Sequence, residues 1–142
     1  MSSAAEIYQQ AIKSLATEAT GHGTLESPSG RAFLDNPLCG DCVEMQVSVA
    51  EGRIRALAHD VKGCLLCRAA ASAIGKRAPG ADLADIERIG AQVADMLRDG
   101  SPAPAGWDEL AVFAPVHGHT SRYRCVQLPF EALAAAMRPT DP

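Results

Sequence analysis

A chain of 142 residues, 47% of them apolar, can bury one core but not two, so a single domain over 1–142 is expected. A net charge of −4, with no lysine- or arginine-rich run, excludes the basic footprint that nucleic-acid binding needs. Polar residues interrupt every apolar stretch before membrane-spanning length, and the opening MSSAAEIYQQAIKSLA lacks a basic leader followed by an apolar run; a cytoplasmic protein without membrane contact is expected.

Ala4–Ala19 is predicted helical, because Ile7, Ala11, Leu15 and Ala19, with Tyr8 and Ile12, form one apolar stripe. Gly21-His22-Gly23 ends it, and Thr24–Gly30 reads as a loop. Gly30–Asn36 reads as a short strand. Cys42–Val49 is a clearer one, with Val43, Met45, Val47 and Val49 alternating against Cys42, Glu44, Gln46 and Ser48. Ala50-Glu51-Gly52 is a turn, and Arg53–Val61 is the returning strand of an antiparallel hairpin.

Cys64–Lys76 is alanine-rich and free of proline, hence helical, with Gly75 or Ala78-Pro79-Gly80 as its stop. Asp82 is a good N-cap for a helix over Leu83–Arg98, whose stripe is Leu83, Ile86, Ile89, Val93 and Leu97. Trp107–Phe113 reads as a short helix and His117-Gly118-His119 as a loop. Arg122–Met137 reads as a last helix that Pro129 bends or begins. Grouped strands followed by grouped helices indicate an α+β fold: a three-stranded antiparallel sheet with helices packed against one side.

Five cysteines in a chain without an export signal point to metal binding or catalysis rather than to disulfides. Two ligand sets compete. Cys39-Gly-Asp-Cys42 and Cys64-Leu-Leu-Cys67 would make a structural four-cysteine zinc module for protein interaction, with Cys39, Cys42, Cys64 and Cys67 as ligands. Against it, Cys42 falls on the polar phase of its strand, and Cys64 and Cys67 open a helix rather than a knuckle turn. The other set is Cys39, Asp41, Cys64 and Cys125, three thiolates and a carboxylate, which also suit tetrahedral zinc. A carboxylate is a harder and more labile ligand than a fourth thiolate, so this second site can be opened. His117 and His119 lie near Cys125 in the chain, but a solvated loop accounts for them. His22 and His59 carry no motif.

Three segments, in chain order, resemble the motifs of the IscU/NifU N-terminal family of iron–sulfur cluster scaffolds, closest to its SufU type. They are Asn36-Pro-Leu-Cys-Gly-Asp41, Gly63-Cys-Leu-Leu-Cys-Arg-Ala-Ala-Ala-Ser72 and Arg122-Tyr-Arg-Cys-Val-Gln-Leu-Pro-Phe-Glu-Ala-Leu133. Arg124 stands where IscU proper has a histidine, and the Leu-Pro-Pro-Val-Lys motif is missing. Cys42 and Cys67 are additional to the common pattern, and Phe130 replaces a common tryptophan. The resemblance implies a SufE/NifU-like fold and the ligand set Cys39, Asp41, Cys64 and Cys125, holding Zn²⁺ or a transient [2Fe–2S] cluster. It implies a scaffold or sulfur acceptor rather than a conventional enzyme, with Cys39 as acceptor and Cys125 as rival. The implied partners are a SufS-like cysteine desulfurase, which supplies sulfur, and apo iron–sulfur proteins or downstream carriers, which receive the product.

Overall fold

The structure is a computed structural model that describes residues 4–37 and 40–138. Helix α1 (Ala4–Glu18) precedes three strands, β1 (Gly30–Asn36), β2 (Asp41–Ala50) and β3 (Arg53–Lys62). These form one antiparallel sheet in the order β1-β2-β3. Helices α2 (Leu65–Arg77) and α3 (Leu83–Asp99), a 3-10 segment (Asp108–Gly118) and α4 (Tyr123–Met137) follow. No described helix is long and apolar enough to cross a membrane.

The alternation along β2 sets the two faces of the sheet. Val43, Met45 and Val47 are fully buried on one face, against α4 and the core; Phe33 on β1 stands 62% exposed on the other. The α+β arrangement read from the order of elements is therefore the observed one, with helices on one side. Helix α2 runs through the middle of the helical layer. Its run of Ala69, Ala70, Ala71 and Ala73 is buried, and these small side chains let α1 and α4 both pack against it. Trp107, leading into the 3-10 segment, packs its ring on Phe130 of α4 with centroids 5.7 Å apart.

Helix α3 starts as its sequence implies. Asp82 Oδ1 accepts from Asp85 N (2.8 Å) while the Asp85 carboxylate accepts from Asp82 N (3.3 Å), a capping box. Gly100 closes the helix in the left-handed region (φ 75°).

One local expectation is corrected and two open alternatives are decided. Of the two stops read for α2, Ala78-Pro79-Gly80 is the observed one, since the helix runs through Gly75 to Arg77; Thr20 approaches the helix at Gly75, and that close approach accounts for the glycine. The segment after Trp107 is a 3-10 helix that continues through His117 and Gly118. Pro129 lies inside α4 rather than at its start, six residues after Tyr123. Lacking an N–H, Pro129 cannot donate to the carbonyl of Cys125, so the ladder opens at that residue.

A buried histidine ties the α1–β1 connection to the sheet. His59 is 3% exposed, and its Nε2 donates to Thr20 O at 2.7 Å. Backbone bonds run from His59 N to Gly21 O and from Gly23 N to His59 O, both 3.0 Å. His59 Nδ1 is buried without a partner. Burial holds its pKa below the usual 6.5, against the opposing effect of the Thr20 bond. The folded protein therefore keeps His59 neutral where the unfolded chain takes up a proton. Stability is complete above pH 6.5 and is lost as pH falls from there toward the lowered folded value. The melting temperature should decline as pH drops through that interval, with a smaller slope in His59→Gln. Equal slopes in the two proteins would refute the assignment.

Candidate metal centre

Asp41 opens β2 on the face of Val43 and Met45, so its carboxylate turns inward and is 1% exposed. It can reach α2 only because residue 63 is glycine. A Cβ built there would lie 2.3 Å from Asp41 Oδ1, inside any tolerable contact. The next residue, Cys64, is the N-cap of α2 in extended conformation (φ −70°, ψ 167°) and makes no capping bond with its own side chain. Asp41 supplies that cap from a distant strand: its Oδ1 accepts from Cys64 N at 2.8 Å. Its Oδ2 accepts from Cys64 Sγ at 3.6 Å. Cys125, in the first turn of α4, completes the group and is 4% exposed.

One carboxylate oxygen and the two sulfurs lie within 4.8 Å of one another, and among the described residues no other set of three or more potential ligands converges in this way. Ligands at zinc distances on a tetrahedron stand about 3.5 Å apart, so this group fits a zinc-sized ion with minor adjustment. The donors suit zinc or iron. Burial, then the hydrogen bond to Asp41 and the neighbouring Cys64, push the Cys125 thiol well above its ordinary value. Metal binding must therefore release that proton.

The group opens on a cleft of about 730 Å³ whose lining includes Asn36, Pro37, Cys64, Arg122, Arg124 and Cys125. Arg124 is held by Glu131 at 3.0 Å. Asp35 lines the same cleft, so the two guanidinium groups of its rim are offset by the carboxylates of Asp35 and Glu131.

Of the four ligands implied by the family resemblance, the structure brings together Asp41, Cys64 and Cys125. Cys39 lies outside the described residues. The competing four-cysteine set does not assemble: Asp41 and Cys42 occupy opposite faces of β2, and Cys42 Sγ turns to its own loop, 3.9 Å from Gly40 O. Cys67, one turn below Cys64, is fully buried in the core. The histidines stand apart. His117 Nδ1 bonds Leu97 O (2.6 Å), and His119 is exposed. Gly63 is the determinant that sequence reading passed over. A glycine between a strand end and a cysteine N-cap was the available signal.

The fold and this thiol–carboxylate group define an α+β protein with a candidate metal site, and comparison with known proteins narrows the class. The family model described as the NifU-like N-terminal domain matches residues 7–115, so the chain belongs to that family of iron–sulfur cluster assembly scaffolds. Cys125 falls beyond the matched span, and its place in the group rests on the structure. A NifU-like protein (N-terminal) from Brucella abortus, described as nitrogen-fixing, superposes with a TM-score of 0.87 at 28% identity, over 94% of this chain and 93% of that one. A candidate iron–sulfur cluster assembly scaffold for the SUF system from Fervidobacterium islandicum shares the fold at 19% identity, with a TM-score of 0.83 over 96% and 100% of the two chains. A hypothetical protein shares it at 24% identity, with a TM-score of 0.84 over 94% and 98%. No curated protein matches.

Proposed function

We propose that this protein is a SufU-type member of its family, one that takes sulfur from a cysteine desulfurase and supports iron–sulfur cluster assembly at Cys39, Asp41, Cys64 and Cys125. The observation that carries the reading is the convergence of Asp41, Cys64 and Cys125 beside a cleft whose rim includes Pro37, two residues before Cys39 in the chain. The residues fit zinc as the resting metal, which would keep the ligand thiols deprotonated, and a [2Fe–2S] unit as cargo. The buried Asp41 carboxylate is the exchangeable member.

Sulfur transfer follows thiol–disulfide exchange. The Cys39 thiolate attacks the outer sulfur of the desulfurase persulfide. A new S–S bond forms on Cys39, the old S–S bond breaks, and the desulfurase cysteine leaves as a thiolate. No net oxidation occurs. Resemblance to the SufU type makes Cys39 the acceptor, and Cys125, only 4% exposed, is poorly placed to meet a partner's persulfide. Apo iron–sulfur proteins or carriers would then receive the product.

The test is persulfide labelling after incubation with a cysteine desulfurase and cysteine. Cys39→Ala is expected to lose most of its sulfur uptake while keeping its fold. Uptake equal to the parent protein would remove Cys39 from the role.

A further inference from the structure

β1 is an outer strand of the sheet, and only β2 is hydrogen-bonded to it among the described residues. Its side chains on the face turned away from the helices are Arg31, Phe33 and Asp35, all exposed. At 62%, Phe33 is the more exposed of two large apolar side chains at the described surface. Edge strands are ordinarily blunted by like charges, bulges or cover, which repel a second strand. This edge does the reverse. It carries a cation two residues before an aromatic side chain and an anion two residues after it, a pattern complementary to itself when run antiparallel.

We propose that β1 pairs with β1 of a second copy of this chain, in antiparallel register centred on Phe33, joining two three-stranded sheets into one of six strands about a twofold axis. In that register Phe33 meets its own counterpart, and Arg31 of each copy faces Asp35 of the other. Aromatic and opposite-charge pairs are the favourable cross-strand combinations. Centring on Ala32 or Leu34 instead sets Arg31 or Asp35 against Phe33, so the charges select one register. Glu44 on β2 keeps the Arg31 guanidinium on this face, with Nε–Oε1 at 3.3 Å. The contact is isologous and closes at two copies.

Sedimentation equilibrium on the full chain tests it. A reversible monomer–dimer equilibrium is expected, populated at the concentrations up to about 1 mM that weak interfaces require. Arg31→Asp and Asp35→Arg each set like charges opposite one another and should shift the equilibrium to monomer. Both sites are exposed, and circular dichroism checks that each variant stays folded. Mixed in equal amounts, the two variants should associate, because one presents two acidic and the other two basic side chains. A parent protein that stays monomeric, a dimer that neither substitution weakens, or a mixture that fails to associate would each overturn the proposal.

Discussion

Cys125→Ala should lower zinc affinity by at least about 100-fold, since disturbing a group that merely supports a ligand already costs 10- to 100-fold. Cys67→Ala and Cys42→Ala should leave affinity nearly unchanged. The contrast follows from geometry. Cys125 Sγ lies within 4.8 Å of Cys64 Sγ and an Asp41 oxygen, whereas Cys42 occupies the opposite face of β2 from Asp41 and Cys67 is sealed in the core. A four-cysteine site would give the opposite result, with Cys125 dispensable and Cys42 and Cys67 essential. Gly63→Ala extends the test without removing a ligand. Its methyl group would stand 2.3 Å from Asp41 Oδ1, so the carboxylate must leave its place, and with it the cap on Cys64 N. Affinity should fall in this variant too. Chelator competition on each protein, with circular dichroism as the check on fold, reads the result. Full affinity in Cys125→Ala would dissolve the candidate centre.

The strands were legible because β2 alternates cleanly and its neighbours are punctuated by glycine. Gly30–Asn36, read as a strand from sequence, is β1 as observed, and the Asp82 cap and the stripe of α3 are where their chemistry puts them. These signals are local: period, cap and turn. What sequence reading missed depends on segments meeting across the fold. The choice between Gly75 and Ala78-Pro79-Gly80 as the end of α2 stayed open in the sequence, because the reason for Gly75 is Thr20 packed against it. Whether Pro129 lies within the last helix or begins it was likewise open, and α4 begins at Tyr123, which places Cys125 in its first turn. The candidate site shows the same division. Spacing alone put Cys42 and Cys67 on equal terms with Cys125, since both C-x-x-C pairs are contiguous patterns. The group actually assembled joins β2, the start of α2 and the start of α4, separated by 23 residues between Asp41 and Cys64 and by far more to Cys125. Strand phase weighed against Cys42 in advance, because it alternates with Val43 and Met45 and so falls on the polar face of its strand. Burial of Cys67 had no such signal.

Gly75→Ala should destabilise the protein by about 3 kcal/mol, the upper part of the range for overpacking a close contact. For a chain of this size that is a fall of about 10 °C in melting temperature. Helix propensity argues the other way: glycine inside a helix costs about 1 kcal/mol relative to alanine, so the change should help. Packing decides the sign. A Cβ on Gly75 would lie 1.9 Å from Thr20 O and 2.5 Å from its carbonyl carbon, overlapping backbone rather than a side chain that could swing aside. Thr20 is poorly placed to retreat. Its N donates to Ser72 Oγ at 3.2 Å on the same helix, and its O accepts from buried His59 Nε2 at 2.7 Å. The neighbouring Gly21 O accepts from His59 N at 3.0 Å. Relieving the clash therefore means parting α1 from α2 or breaking a bond to a buried histidine whose Nδ1 is already without a partner. Gly90 in α3 is the matched control, because a Cβ there would meet only Phe130 Cβ, at 4.0 Å. Propensity should prevail at that site, and Gly90→Ala should raise the melting temperature by a few degrees. If both substitutions raised it, the close approach of the Thr20 turn to α2 would be wrong.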